Sequence, residues 1–151
     1  RHICMAVVLV RPKAGVVMTE ALLEVTGGCH CGAVRYRAKG VDPRVTECHC
    51  SQCRRQSGHR YATTGAKTSD IDIKGADRIT WYRASPAAER GFCSVCGSTM
   101  FWRRDGGDHT AILAGTIDEP NGLRLTKHIF VANKGGYYEI DDGLPKHKAI
   151  G

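Results

Sequence analysis

The chain of 151 residues has no apolar run long enough to cross a membrane, since a spanning helix needs about 20 such residues. Its longest apolar run is Ile3 to Val10. No long segment repeats with the period of an amphipathic helix. A phosphate-binding glycine loop and an H-E-x-x-H metal motif are both missing from the sequence. These absences predict a protein that has no membrane segment and is not a helical bundle, and they argue against nucleotide binding.

The first 17 residues stand apart from the rest of the chain. The run from Ile3 to Val10 has the rough shape of a secretory signal, but basic residues follow where a neutral cleavage region is expected. Met18 begins Met-Thr-Glu-Ala-Leu-Leu-Glu, which looks like a natural start. We therefore predict that residues 1–17 form an N-terminal extension and that residues 18–151 form the domain. The cysteines, described next, indicate that this domain binds zinc.

The cysteines are clustered, which separates two interpretations of their role. A disulfide framework usually spreads its half-cystines to join distant loops, whereas metal ligands lie close together. Seven of the eight fall into three short groups, and Cys4 is most simply a bystander: Cys29 and Cys31; Cys48, Cys50 and Cys53; Cys93 and Cys96. The clustering favours metal ligation in a reducing compartment, and so a cytoplasmic protein.

The formal net charge of +7 points at first sight to an acidic partner such as nucleic acid. Metal-bound cysteines are thiolates, however. Two zinc ions held by seven thiolates lower the charge to about +4, and loss of the three basic residues in 1–17 lowers it to about +1. A nucleic-acid partner is therefore not expected, and the oligomeric state is not indicated.

The hydrophobic pattern predicts short strands separated by glycine-containing turns. The single helical turn expected is Ser51 to Gln56, which Gly58 could end. We therefore predict a single mainly β domain with short helical turns. The predicted strands are Leu22–Thr26, Ala33–Ala38, Arg78–Arg83, Thr110–Ala114 and His128–Ala132.

Two cysteine pairs have the form of metal knuckles. Cys29-His30-Cys31 and Cys93-Ser94-Val95-Cys96 are each followed by a glycine, Gly32 or Gly97, which can take the positive φ that such a turn requires. Two knuckles of two thiolates make a closed tetrahedral Cys₄ zinc site, which is a structural site.

The triplet Cys48-His49-Cys50-Ser51-Gln52-Cys53 provides three thiolates on one short segment. Three protein ligands and one open position are the pattern of a catalytic zinc. The alternative is a closed Cys₃His site. The histidines considered as its fourth ligand are His30, His49, His59, His109 and His128. We favour the open site, and we expect His30 and His49 to be exposed spacers within their turns.

The residues after the triplet are basic. Arg54 and Arg55 would favour ionised thiols, and Arg60 is expected to help hold an anionic substrate. Histidine is the side chain most often used for proton transfer near neutral pH. Arg54, Arg55 and Arg60 are thus candidates for substrate binding, and His59 is a candidate for proton shuttling.

The three cysteine motifs together resemble the glutathione-dependent formaldehyde-activating enzyme family. The resemblance covers roughly residues 22–145. Two positions depart from the family's usual residues, and both bear on the substrate: His59-Arg60 and Gly136-Tyr137-Tyr138. The motifs that carry the resemblance are Gly28-Cys29-His30-Cys31-Gly32, Cys48-His49-Cys50-Ser51-Gln52-Cys53-Arg54 and Phe92-Cys93-Ser94-Val95-Cys96-Gly97.

The resemblance implies a β-rich, tent-like fold with two zinc ions. It implies a structural zinc on Cys29, Cys31, Cys93 and Cys96, and a catalytic zinc on Cys48, Cys50 and Cys53. The namesake reaction joins glutathione to formaldehyde as S-hydroxymethylglutathione, and the reverse is a carbon–sulfur lyase reaction. Two rival functions are a non-catalytic zinc module that binds protein or nucleic acid, and a family enzyme that acts on another thiol or electrophile.

We predict that residues 1–17 are dispensable for folding, because their sequence shows no pattern that would pack against the rest of the chain. The thermal midpoint of the full chain should match that of residues 18–151 within a few degrees. A larger loss, on the order of 1 kcal/mol for a domain of this size, would show that the segment packs on the core.

Overall fold

The fold is described from a computed structural model, which covers residues 20–150. The extension expected over residues 1–17, its boundary at Met18 and Cys4 lie outside these residues. Among residues 20–150 no helix is long and apolar enough to cross a membrane. In chain order the elements are β1 (Leu23–Gly28), β2 (Arg35–Val41), β3 (Arg44–Cys48), α1 (Ser51–Ser57), β4 (Tyr61–Lys67), β5 (Ile71–Lys74), β6 (Ile79–Ser85), β7 (Ala88–Cys93), β8 (Thr99–Arg104), β9 (His109–Leu113) and β10 (Arg124–Ile129).

The strands form two sheets. β1, β2 and β5 make an antiparallel sheet of three strands, and the other seven pair in the order β10-β3-β4-β9-β8-β7-β6. Within the larger sheet β10 is parallel to β3, with His128 opposite Glu47 and Ile129 opposite Cys48. Parallel neighbours need a long crossover connection, and here most of the large sheet lies between the two strands in sequence. The crossover brings the end of β10 beside the cysteine triplet.

Alternation along β2 shows why this sequence forms a half-buried strand. Tyr36 and Ala38 are buried, whereas Arg35 and Arg37 between them are exposed. Successive residues of a strand point to opposite faces, so that one face of the small sheet is apolar. That face packs on the large sheet, where the Tyr36 and Phe101 rings meet edge to face with centroids 5.3 Å apart.

The large sheet separates two hydrophobic clusters. Ile112 belongs to the core that joins the two sheets, whereas Leu113, the next residue of β9, packs with Tyr61 in a second cluster. Because adjacent strand residues face opposite ways, the clusters lie on opposite faces of the sheet. Cys29 and Cys93 belong to the first cluster, and Cys48 and Cys53 belong to the second.

The predicted mainly β fold with short helical turns is confirmed. The predicted helical turn is also present: α1 runs one residue further than expected, and Gly58 ends it in the left-handed conformation with φ of 81°. The strand predicted over His128–Ala132 was wrong in its bounds. β10 ends at Ile129, because Phe130 takes a left-handed conformation with φ of 56° and a 3₁₀ turn follows.

Candidate metal centres

Four sulfur atoms from two distant segments form what we call the tetrathiol cluster: Cys29, Cys31, Cys93 and Cys96. Their Sγ atoms all lie within 4.8 Å of one another. The Cys29–Cys31 and Cys31–Cys93 Sγ separations are 3.6 and 3.9 Å, close to the roughly 3.8 Å edge of a tetrahedron with Zn–S bonds of about 2.3 Å. The arrangement therefore fits a closed zinc site.

The two knuckles of the tetrathiol cluster have the backbone geometry expected from their glycines. Gly32 and Gly97 take φ values of 79° and 77°. The Val34 amide donates to Cys29 Sγ at 3.2 Å. The Ser98 hydroxyl joins the knuckles, since its oxygen accepts from the His30 amide at 3.0 Å and lies 3.3 Å from Cys96 Sγ. Amide donors aimed at sulfur favour thiolates over thiols.

Cys48, Cys50 and Cys53 form a second group, the trithiol cluster, with their Sγ atoms also within 4.8 Å of one another. Cys48 ends β3, Cys50 caps the N-terminus of α1, and Cys53 lies on its first turn. The Cys53 amide donates to Cys50 Sγ at 3.3 Å. The strand end and the helix start therefore hold three thiols at one point.

The electrostatics of the trithiol cluster favour an ionised sulfur on Cys53. Hydrogen bonding from Cys48, assisted by Arg90, lowers the pKa of the Cys53 thiol to about 5 against the opposing effect of burial. The same interaction with Cys53, together with burial, raises the pKa of Cys48 far above its usual value. Three sulfurs this close cannot all ionise without a cation, so that full ionisation requires a bound metal ion.

The trithiol cluster has no fourth ligand among residues 20–150. No histidine, carboxylate or further cysteine atom lies within 4.8 Å of all three sulfurs. His49 is engaged elsewhere, and His30 lies on the exposed turn of the tetrathiol cluster. The geometry therefore favours a site with an open position over a closed Cys₃His site.

The expected exposure of His49 was wrong. His49 is fully buried, as is His128, because parallel pairing with β10 covers the end of β3. Together with Glu47 they form a histidine cluster, with 2.9 Å between His49 Nε2 and His128 Nδ1 and 3.0 Å between His128 Nδ1 and Glu47 Oε2. His30, the other expected spacer, is exposed as predicted.

Hydrogen bonds connect the histidine cluster to one further residue on each side. His128 Nε2 lies 2.8 Å from the Asp142 carboxylate, and His49 Nδ1 lies 2.6 Å from the Tyr138 hydroxyl. Burial lowers the pKa of His49, which favours a neutral ring. An ionised Asp142 only accepts, so His128 Nε2 donates to it. The hydrogen-bonded chain joins Tyr138, His49, His128 and Asp142.

The histidine cluster also has the spacing of metal ligands. Its atoms nevertheless have protein partners. Arg60 Nη1 donates to Glu47 Oε2 at 3.1 Å, and a guanidinium at that oxygen disfavours a second cation. We interpret the cluster as a hydrogen-bonded support for the segment Cys48–Cys50.

Four basic and aromatic residues form what we call the rim, which contacts Glu47 and His49 of the histidine cluster: His59, Arg60, Tyr137 and Tyr138. His59 Nε2 accepts from Arg60 Nε at 3.1 Å, and His59 Nδ1 lies 2.9 Å from the Tyr137 hydroxyl. The Arg60 guanidinium lies 5.1 Å from the centre of the Tyr138 ring. The structure thus brings His59 and Arg60 together with both tyrosines, while Arg54 and Arg55 lie on the last turn of α1.

Arg90 is the basic residue that sequence reasoning missed. It lies on β7, is 2% exposed, and places Nη2 3.5 Å from Cys53 Sγ. Of the arginines proposed from sequence, none has a hydrogen bond to a cysteine sulfur among the described contacts. The local sequence of β7 carries no signal for the burial of Arg90, because its hydrogen-bond contacts are with Gln52 and Cys53 of α1, which lie 38 and 37 residues earlier.

Comparison with known proteins gives a consistent result. The family model for "Glutathione-dependent formaldehyde-activating enzyme" matches residues 24–133. A Halomonas elongata protein provisionally named as such an enzyme is 36% identical over 83 residues, which cover 50% of this chain and 53% of that protein. An uncharacterized lyase of Schizosaccharomyces pombe is 29% identical over 79 residues, covering 52% of this chain and 57% of the lyase.

The matches with both curated relatives cover little more than half of each relative's length. Among solved structures, the crystal structure of a Rhodobacter sphaeroides protein superposes with a TM-score of 0.50 at 25% identity. The superposition covers 81% of this chain and 98% of that one.

The two cysteine clusters should respond differently to loss of a ligand. Cys93→Ser should unfold or aggregate the protein, because structural zinc binding is worth about 10–16 kcal/mol and is coupled to folding. Cys53→Ser should leave a folded protein with about one zinc ion. Circular dichroism and zinc analysis of the purified variants test this, and equal behaviour of the two would contradict a division into structural and reactive sites.

The histidine cluster predicts a difference between neighbouring tyrosines. Tyr138→Phe leaves the buried His49 Nδ1 without its hydroxyl partner and should cost about 1–3 kcal/mol of stability. Tyr137→Phe removes a hydroxyl from an exposed side chain and should cost under about 0.5 kcal/mol. Thermal midpoints of the two metal-loaded variants provide the measurement, and equal losses would show that the buried chain contributes nothing.

Proposed function

The chain belongs to the glutathione-dependent formaldehyde-activating enzyme family, and we propose that it is a zinc-dependent enzyme that joins glutathione, or a related thiol, to formaldehyde. The product is S-hydroxymethylglutathione, and the reverse direction is a lyase reaction that cleaves the same carbon–sulfur bond. The observation that carries the proposal is the trithiol cluster, in which three sulfurs converge without a fourth ligand from residues 20–150.

Two zinc ions are proposed. The tetrathiol cluster would hold a structural ion, and Cys48, Cys50 and Cys53 would hold the reactive one. Zinc with an open position supplies a Lewis acid that keeps a coordinated thiol ionised at neutral pH. The described cysteines form no disulfide among themselves, and free thiolates persist in a reducing compartment. We therefore propose a cytoplasmic location.

The reaction needs a thiol proton to leave and an aldehyde oxygen to gain one. Sulfur attacks the formaldehyde carbon, the C–S bond forms as the C=O π bond breaks, and the oxygen is protonated to a hydroxyl. His59 is the proposed proton carrier. Because its Nε2 accepts from Arg60, that ring nitrogen has a lone pair and can take a proton.

The rim supplies the proposed contacts with the rest of the thiol substrate. Glutathione carries two carboxylates, and guanidinium groups bind carboxylates through paired hydrogen bonds. Arg60 already forms an ion pair with Glu47. Arg55 is exposed on α1, and Arg54 beside it is half-buried. We assign the carboxylates to Arg54, Arg55 and Arg60, with Tyr137 and Tyr138 lining the same side.

The activity is tested by the rate of exchange, because formaldehyde and glutathione also combine without an enzyme. Two-dimensional exchange NMR at fixed reactant concentrations should show faster exchange with wild-type protein. Cys53→Ser, at equal folded concentration, should show only the uncatalysed rate. His59→Gln should reduce the acceleration by about 100-fold or more, as expected for a lost general acid or base. Arg60→Gln should reduce it by about tenfold, as expected for a lost charged hydrogen bond.

Arg44→Gln is the matched control for Arg60→Gln, because Arg44 forms an exposed ion pair with Asp42 at the start of β3. It should leave the exchange rate unchanged. A fully zinc-loaded wild type that gives no acceleration would exclude formaldehyde activation. Acceleration with another thiol or electrophile in its place would assign the protein to a different reaction of the family.

A further inference from the structure

Arg90 is a buried cation directly beside the trithiol cluster. Its guanidinium lies 3.5 Å from Cys53 Sγ and 3.2 Å from Gln52 Oε1, both measured from Nη2, and 4.7 Å from the centre of the Tyr61 ring. Arg90 is contributed by β7 and Tyr61 by β4, so that rigid strands rather than loops place both groups.

The Arg90 guanidinium has no carboxylate partner among residues 20–150. Two other arginines do: Arg103 of β8 pairs with Glu89, and Arg60, just before β4, pairs with Glu47. A buried charge without a counter-charge is strongly destabilising. Cys53, as a thiolate, is the contact that would supply the counter-charge to Arg90, and it accounts for the burial of this cation.

Donor groups at the same place lack acceptors. Arg90 Nε, Arg90 Nη1 and the Tyr61 hydroxyl are buried and have no hydrogen-bond partner among the described residues. Buried polar groups are nearly always paired in folded proteins. Tyr61 lies opposite Cys48 in the β3–β4 register, so these donors border the trithiol cluster.

The charges of the site indicate which kind of ligand would bind to these donors. Three thiolates and a divalent ion carry a net charge of −1, and an anionic fourth ligand would make it −2. Arg90 adds one positive charge, so the totals become about 0 with a neutral ligand and about −1 with an anionic one. The guanidinium thus lowers the electrostatic cost of an anionic ligand, and the unpaired donors around it suit an anion.

We propose that Arg90 and Tyr61 form an anion-accepting wall of the trithiol cluster, and that this wall lets a small thiol bind there as its thiolate. The inference rests on the proposed function and adds the residues that admit the substrate sulfur. Binding follows RSH → RS⁻ + H⁺, with the proton released to solvent and no change of oxidation state. Arg54, Arg55 and Arg60 would then contact the substrate's carboxylates, and Arg90 its sulfur.

The test is thiol binding to the cobalt-substituted protein, which gives a readout independent of turnover. Cobalt–thiolate absorption changes when a fourth sulfur binds, and titration yields a dissociation constant. Two probes separate the contacts: glutathione, and 2-mercaptoethanol, which has no carboxylate. Arg90→Gln should weaken both thiols at least tenfold while cobalt content stays at two ions, and Arg90→Lys should weaken them less because it keeps the charge.

Arg83→Gln is the matched control, since Arg83 lies on β6 of the same hairpin in an exposed ion pair with Asp105. It should bind both thiols as the wild type does. Tyr61→Phe removes a single hydroxyl and should weaken both thiols about threefold, equivalent to ~0.6 kcal/mol. It also keeps the test decisive if Arg90→Gln fails to fold.

Unchanged thiol affinity in Arg90→Gln, or in Tyr61→Phe, would overturn the inference. A loss confined to glutathione would place Arg90 at the carboxylates and would overturn it as well. A wild type that binds no thiol would exclude both the inference and the proposed function. If the wild type binds thiols, Arg90→Gln loses them and formaldehyde exchange is not accelerated, the inference stands and the proposed reaction fails.

Discussion

Sulfur atoms held 3.6–3.9 Å apart repel one another once they ionise, and a cation at their centre turns that repulsion into attraction. In the tetrathiol cluster such an ion would join segments 62 residues apart, Cys31 at the end of the small sheet and Cys93 at the end of β7. The small sheet therefore has two attachments to the large one, its apolar face and the cysteine knuckles. The trithiol cluster lies in a separate hydrophobic cluster and shares only the large sheet with this junction.

The large sheet keeps the two cysteine clusters apart. Cys48 and Cys53 lie in a small cluster with Tyr61, separated by the sheet from the core that contains Cys93. A strand end and the first turn of a seven-residue helix are enough to place the three thiols. Three other segments contact the region of the cysteine triplet: β10 covers His49, β7 contributes Arg90, and the segment after β10 contributes Tyr138.

Features set by short stretches of sequence were predictable, and features set by strand pairing were not. The knuckle glycines and the turn of α1 depend on a few consecutive residues, and the structure has them where expected. His49 was expected to be exposed because it alternates with Cys48 and Cys50. Alternation indicates which side of the strand the ring faces, but not which other segment covers that side. Its partner His128 is 79 residues away, and Arg90 is 37 residues from Cys53. Neither contact follows from local pattern, since each depends on which strands become neighbours.

The segment after β10 continues the hydrogen bonding of that strand: the His128 amide donates to the Pro145 carbonyl, and the His147 amide donates to the His128 carbonyl. This same segment carries Tyr138 and Asp142, which lie beyond the residues 24–133 that the family model matches. The buried His49 and His128 therefore take their outer hydrogen-bond partners from outside the matched region. A chain cut at residue 133 would leave both rings without those partners, at a cost of about 1–3 kcal/mol for each unsatisfied buried group.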